Sequence, residues 1–226
     1  IKICKKNRID RFVYASSSSV YGIKDIPDVT ENLTLDPLTD YSKYKVLCEE
    51  ILLNELGGKI CSTILRPATV CGYSKRTRLD VIVNILTNNA YNKRKFIIYG
   101  GSQKRPNIHI EDMVDSYLKV LENEKTRVSD QIFNVGFENH TLLEIGNLVK
   151  EVIGKDVLME FEETDDLRSY HISSKKIAEK INFFPKHSIK QAISDLQNAF
   201  KSNLLKDSMK NPKYFNIKTM QLLNLK

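Results

Sequence analysis

The fold is decided by residues 41–65, which read YSKYKVLCEEILLNELGGKICSTIL. Residues 41–56 show helical periodicity, and the two glycines that follow them are typical of a helix C-terminus. Residues 59–65 predict a strand that stops at Arg66 and Pro67. Before the helix, residues 11–16 are short, apolar and partly β-branched or aromatic, which predicts a buried parallel strand. The order strand, helix, strand is typical of a parallel sheet covered by helices.

Away from this unit the pattern predicts a more irregular α+β part, with a boundary between residues 67 and 74. Gly100 and Gly101 predict a tight turn. The remaining helices are predicted at residues 1–7, 79–91, 111–122, 142–153, 174–181 and 188–202, and the remaining strands at residues 95–99, 131–135 and 157–161. The last residues read as a polar tail.

Composition restricts the class of protein. The chain has 226 residues, of which 41% are hydrophobic and 28% charged, as expected for one or two globular domains. No apolar run reaches the ~18 residues that a membrane-spanning helix needs, so we expect no membrane partner. The 35 Lys and Arg residues exceed the 28 Asp and Glu residues by 7, but they are spread along the chain. This distribution favours a solvated surface or a phosphate-bearing small molecule over nucleic acid.

The four cysteines lack the short paired spacings of a zinc site, so we expect no metal centre. Unpaired cysteines are typical of a reducing environment, and we therefore expect a cytoplasmic protein.

One set of residues has the side-chain types and spacing of a proton-transfer site. Tyr41 and Lys45 are four residues apart in the predicted helix, which places the phenol and the ammonium on one face. A phenol has a reference pKa near 10, but a neighbouring ammonium stabilises the phenolate, so such a tyrosine can serve as an acid or base. Ser17 lies 24 residues before Tyr41, where the first predicted strand ends. Because ligands bind beyond the carboxyl ends of parallel strands, a serine there can orient a substrate hydroxyl.

The tyrosine–lysine spacing alone is weak evidence, since the pairs Tyr91/Lys95 and Tyr214/Lys218 share it. The same offset before those tyrosines reaches a proline and a lysine rather than a hydroxyl. The serine therefore singles out the first pair, and a serine-rich helix cap is the structural alternative.

Six segments together form a specific pattern: FVYASSSSVYG (12–22), YSKYK (41–45), LRPATVCG (65–72), GGSQKRPNIHIED (100–112), FNVG (133–136) and DLRSY (166–170). Through them the chain resembles the extended short-chain dehydrogenase/reductase family, in particular its NAD-dependent nucleotide-sugar epimerases and dehydratases. The resemblance implies an α/β fold, a partial Rossmann-like doubly wound parallel sheet with a smaller α+β substrate-binding part. Residues 1–72 would be the C-terminal portion of the NAD(P)-binding domain. Residues 73–226 would be mainly substrate-binding, with some segments returning to the sheet.

The resemblance also implies an NAD(P)-dependent oxidation of a sugar hydroxyl and assigns roles to residues. Tyr41 would transfer the hydroxyl proton, Lys45 would hold the nicotinamide ribose, and Ser17 would bind the reacting oxygen. The segment Pro67-Ala68 would lie against the nicotinamide. The nucleotide-diphosphate sugar would be contacted by Thr69, Asn84, Arg105 and Arg168, and guanidinium groups suit a diphosphate because their planar fork binds two oxygens.

Departures from the family pattern limit the reactions that can be expected of this chain. No G-x-x-G-x-x-G or G-x-G-x-x-G motif occurs, and the chain begins with Ile1 rather than Met. We therefore expect a fragment that binds dinucleotide poorly and is inactive by itself. Family dehydratases carry an Asp-Glu pair where this chain has Ser18 and Ser19, and 3,5-epimerases use Cys and His where it has Ser19 and Ser74.

These departures favour C4-epimerisation through a 4-keto intermediate. The alternatives are a nucleotide-sugar keto-reductase or dehydratase of the same family, and a truncated non-catalytic homologue that binds nucleotide sugar. Family members often dimerise, so the resemblance makes a second copy of this chain a candidate partner in a homodimer.

Overall fold

The computed structural model describes residues 1–24, 26–165 and 171–224. Its helices are α1 Lys2–Lys6, α2 Asp40–Leu56, α3 Ile82–Lys93, α4 Ile110–Glu122, α5 Lys125–Val128, α6 Leu142–Ile153, α7 Lys175–Ile181, α8 Ile189–Lys201 and α9 Asn216–Leu222. Its strands are β1 Arg11–Ala15, β2 Cys61–Pro67, β3 Thr69–Cys71, β4 Lys95–Tyr99, β5 Lys104–His109, β6 Gln131–Val135, β7 Glu138–Thr141 and β8 Leu158–Glu162. One-turn 3₁₀ helices cover Ser18–Tyr21 and Pro212–Tyr214.

The main sheet is parallel, with the order β1-β2-β6. A second sheet has the order β3-β5-β7, in which β3 and β5 are parallel and β7 is antiparallel, and β4 pairs with β8 in parallel. Parallel strands with covering helices confirm the predicted α/β class. Strand β6 joins the sheet of β1 and β2, so residues on both sides of the predicted boundary at residue 72 contribute to it. That division of the chain stays a prediction.

Helix α2 has both polar and apolar residues among its buried positions. Thr39 and Ser42 form a reciprocal capping box at its N-terminus, which satisfies backbone donors that the first turn leaves open. The buried residues of the helix include the polar Ser42 and Glu49 as well as Leu52 and Leu56. The buried positions of α2 are therefore polar from the first turn to the middle of the helix and apolar toward its C-terminus.

The carboxyl ends of the three main strands meet at one edge. Ala15 is in register with Leu65, and Pro67 with Val135. Just beyond the strands, the Ser16 amide donates to the Leu65 carbonyl at 2.8 Å. This edge is where open parallel sheets bind ligands.

Three strands and two α-helices of the described residues were not predicted from the sequence, namely β3, β5, β7, α5 and α9. Strand β5 contains Pro106 among polar residues, and β7 reads ENHT, so neither shows the apolar alternation typical of a strand. Both owe their extended form to pairing with each other, and β3 is only three residues long. The predicted polar tail is also wrong, because it includes helix α9 and the buried Leu205 and Tyr214, which pack in one cluster with Leu79.

Two predicted boundaries shift for local reasons. The strand predicted from residue 59 begins at Cys61, because the Lys59 amide closes a turn on the Leu56 carbonyl. The helix predicted from residue 79 begins at Ile82, because the Leu79 amide instead donates to Tyr214 in the C-terminal segment. Within the described residues, no helix is long and apolar enough to cross a bilayer.

Candidate active site

Lys45 and Tyr41 lie together at the carboxyl end of β1. The Lys45 ammonium donates to the Ala15 carbonyl, with Nζ and O 2.6 Å apart. Its Nζ atom is 5.5 Å from the centre of the Tyr41 ring and 5.0 Å from that of Tyr14. Tyr41 is 59% exposed, so this residue lies at the surface of the site. The ammonium is thus fixed between two phenols, one of which faces solvent.

Tyr14 is the less exposed of the two phenols beside Lys45. Burial, a hydrogen bond with Cys48 and the negative charges around it raise the pKa of Tyr14 well above its ordinary value. The Tyr14 phenol therefore stays protonated at neutral pH, and it presents a neutral ring to Lys45.

Ser17 lies two residues beyond Ala15, at the same end of β1 as the ammonium. It caps the 3₁₀ helix: its Oγ accepts a hydrogen bond from the Ser19 amide at 3.2 Å and lies 2.9 Å from the Ser19 Oγ. Ser17 is half-buried, whereas Ser16 and Ser18 are buried. The predicted role of Ser17 and its capping role are compatible, because a hydroxyl has one donor and two acceptor sites.

The segment after β2 forms the neighbouring wall of the same edge. Ala68 is buried, and its amide donates to the Val135 carbonyl at 2.8 Å. Gly136 packs closely behind it, since a Cβ at that position would lie 3.2 Å from the Ala68 Cβ. Pro67 and Thr69 flank Ala68 and are both half-buried, so the segment forms a fixed wall with part of its surface open.

Arg105 lines a separate cavity of about 270 Å³. This half-buried residue lies on β5, and its Nη1 donates to the Lys104 carbonyl at 3.2 Å. The other residues lining the cavity are Asp80, Ile82, Ile85, Ile97, Ile98, Tyr99, Gln103, Leu142 and Thr164. Apolar walls with a guanidinium at one side suit a planar ring carrying an anionic group.

Asn84 has a structural role in this fold. It is 2% exposed, and its Oδ1 accepts from the Gly72 amide at 3.0 Å while its Nδ2 donates to the Arg78 carbonyl at 2.7 Å. The side chain thereby holds the loop between β3 and α3, and its contact with a nucleotide sugar stays a prediction. Arg168 lies outside the described residues.

The structure thus places a serine, a tyrosine and a lysine at the carboxyl edge of a parallel sheet, the edge at which such sheets bind ligands. The NAD dependent epimerase/dehydratase family matches residues 1–136, so the chain belongs to this family, whose members depend on NAD. The chain is 30% identical over 164 residues to the uncharacterized UDP-glucose epimerase YtcB of Bacillus subtilis, covering 71% of this chain and 50% of that protein. It is also 30% identical over 163 residues to the UDP-glucose 4-epimerase of Lactobacillus helveticus, covering 64% and 49%.

Solved structures show the same fold. The UDP-glucuronic acid 4-epimerase of Bacillus cereus, in complex with UDP-glucuronic acid and NAD, is similar with a TM-score of 0.78 and 24% identity, covering 89% of this chain and 65% of that one. The UDP-glucose 4-epimerase of Thermotoga maritima, with UDP-glucose, has a TM-score of 0.78 and 23% identity, covering 90% and 67%. The chain therefore spans about half the length of the two sequence relatives and about two thirds of these structures.

Proposed function

We propose that this chain carries the acid–base and substrate-binding groups of a nucleotide-sugar epimerase that inverts C4 of the sugar through a 4-keto intermediate. The observation that supports this most is the Lys45 ammonium, fixed on the Ala15 carbonyl and set against the ring of the exposed Tyr41. The proton-transfer group and its cation share one helix face at the ligand-binding edge of the sheet.

The chain's own residues move a proton at the sugar oxygen. Tyr41 takes the proton from the C4 hydroxyl and returns it to the same oxygen once the other face of the ring is presented. Lys45 stabilises the phenolate between these events. Ser17 donates a hydrogen bond to the reacting oxygen and orients it toward the phenol. NAD, when bound, supplies the hydride acceptor and donor at C4.

The residues present fit the nicotinamide side of a dinucleotide. An ammonium carries three donors, and the Ala15 carbonyl takes only one from Lys45, which suits binding of ribose hydroxyls as well. Ala68 and its neighbours offer a buried wall for the nicotinamide ring. Since the glycine-rich phosphate-binding motif does not occur in the sequence, weak NAD binding by the 226 residues stays a prediction.

The substrate proposal rests on Arg105 and its cavity. A guanidinium beside apolar walls suits a nucleoside diphosphate, with the base in the cavity and the phosphates on the fork. We propose a UDP- or dTDP-linked sugar, with Thr69 as a further contact. A homodimer and a cytoplasmic location also remain proposals.

Ser18 and Ser19 separate this reaction from dehydration. Both side chains end in a hydroxyl, so neither offers the carboxyl group that eliminating water from the sugar would use. A keto-reductase needs the same tyrosine and lysine, and it is the second candidate because these groups alone do not distinguish the two reactions.

The test uses protein expressed from the complete native reading frame that encodes these residues. UDP-glucose is incubated with catalytic NAD, and its anomeric proton signals are followed by NMR. If the protein is an epimerase, we expect UDP-galactose to form with no net change in the amount of NAD. Stoichiometric consumption of NADPH with a keto-sugar would instead show the reductase, and turnover of neither substrate contradicts both.

Binding of UDP-glucose is measured separately by calorimetry on the 226-residue chain. We expect Arg105→Ala to weaken binding by about 10- to 100-fold, the range for losing hydrogen bonds to a charged group. Lys104→Ala on the same strand is the matched control and is expected to change the affinity little. Equal effects of the two variants would argue against Arg105 as the phosphate ligand.

A further inference from the structure

Arg66 and Glu49 form a buried ion pair beneath the candidate active site. Each side chain is only 3% exposed. The Arg66 Nη2 donates to the Glu49 Oε2 at 2.6 Å, and its Nε lies 3.0 Å and 3.2 Å from the two carboxylate oxygens. Two parallel N–H to oxygen contacts of this kind fix the orientation of both groups.

The pair is extended by hydroxyl groups on both sides. The Ser16 hydroxyl donates to the Glu49 Oε1. On the other side, the Arg66 Nη1 donates to the Tyr21 hydroxyl at 2.8 Å, which donates in turn to the Asn134 Oδ1 at 2.7 Å. Burial opposes the charge on Arg66, but Glu49 and Tyr21 raise the pKa of the guanidinium above its ordinary value, so it stays cationic.

Three members of this network, Glu49, Ser16 and Arg66, adjoin residues of the proposed site. Glu49 lies one helical turn after Lys45 on α2, and both contact the end of β1, Lys45 at the Ala15 carbonyl and Glu49 at Ser16. Ser16 immediately precedes Ser17. Likewise, Arg66 immediately precedes Pro67 in β2.

We propose that Glu49 and Arg66 are positioning residues, which hold helix α2 in one register against the ends of β1 and β2. The inference rests on the proposed function, since it gives Tyr41, Lys45 and Ser17 their chemical importance. A buried ion pair contributes little net stability compared with apolar packing, so packing alone gives no reason for a charge here. The ion pair instead constrains geometry, because the planar guanidinium fork of Arg66 matches the carboxylate in a defined orientation.

The test compares Glu49→Gln, Arg66→Lys and Ile193→Ala. Glu49→Gln removes the charge, whereas Arg66→Lys keeps a cation for Glu49 and loses only the fork, so it retains folding if the first variant does not. Ile193→Ala is the control. Ile193 is a buried residue of α8 in a separate hydrophobic cluster, so its replacement by alanine lowers stability without touching the network. All variants are made in the complete native reading frame.

Amide hydrogen exchange gives a readout that needs no activity. Both network variants are expected to exchange about tenfold faster in residues 16–21 and 41–49 than the parent protein, with little change in α6. Ile193→Ala is expected to leave residues 41–49 unchanged. Unaltered exchange in those segments, or uniform acceleration throughout the protein, would overturn the inference.

Turnover gives the second readout. A displaced Tyr41 is expected to lower kcat by about 100-fold, while KM for the nucleotide sugar stays nearly constant, because Arg105 lies on another strand. Faster local exchange with unchanged kcat would overturn the positioning role. If the parent protein turns over no nucleotide sugar, the proposed function fails, and the exchange data still decide whether the pair holds α2 in place.

Discussion

The energetics of the Arg66–Glu49 pair can be tested by a double-mutant cycle with methionine at each position. Glu49 accepts three hydrogen bonds from Arg66 and one from Ser16. Glu49→Met leaves Arg66 charged and buried, and Arg66→Met does the same to Glu49. Each single change is expected to cost about 3–5 kcal/mol of unfolding free energy. The double variant leaves no unpaired buried charge and should lose only about 1–2 kcal/mol, mainly from the hydroxyl groups that lose a partner.

The free energies of unfolding come from urea titrations followed by circular dichroism, with the slope required to stay constant across the cycle. The expected coupling energy, the summed single losses less the loss of the double variant, is at least about 4 kcal/mol. The exposed pair Lys5–Glu55 provides the control cycle and is expected to show no measurable coupling. Additive single effects at Arg66 and Glu49, or single losses below about 1 kcal/mol, would refute the reasoning.

Two further predictions concern the surroundings of the site. Gly136→Ala would place a Cβ 2.8 Å from the Ile172 Cδ1 and 3.2 Å from the Ala68 Cβ, so it should cost about 1–3 kcal/mol by overpacking, and an unchanged urea midpoint would contradict this. Burial raises the pKa of Glu31, although a backbone hydrogen bond from Asn134 opposes the shift. The folded state therefore binds this proton more tightly, and the parent protein should gain stability relative to Glu31→Gln as the pH falls from about 7 toward 4. A flat or opposite pH trend would contradict that assignment.

The sequence predicts the main sheet well because its strands are apolar. Strands β1 and β6 and helix α2 lie close to their predicted bounds, since the strands carry short runs of apolar residues and the helix has clear end signals. Strand β5 could not be predicted in this way, because its proline and polar side chains are tolerated only through pairing with β3 and β7. That information lies in residues far away along the chain.

The candidate site likewise contains some features that the sequence predicts and others that it does not. The spacing of Tyr41 and Lys45 predicts a shared helix face, and the structure brings the ammonium to the tyrosine ring. The buried role of Glu49 and Arg66 left no comparable pattern, because a glutamate in a helix and an arginine at a strand end usually face solvent. Likewise, Asn84 resembles a ligand residue in the sequence, and only its hydrogen bonds reveal that it holds a loop.

The central claim is that Tyr41 transfers the proton during turnover. The most direct measurement compares kcat of Tyr41→Phe and Tyr44→Phe in protein from the complete native reading frame, because Tyr44 lies on the same helix and is 68% exposed. We expect Tyr41→Phe to lower kcat by about 10²- to 10⁴-fold, with the affinity for UDP-glucose preserved, and Tyr44→Phe to change kcat less than about twofold. Parent-like turnover by Tyr41→Phe would contradict the central claim.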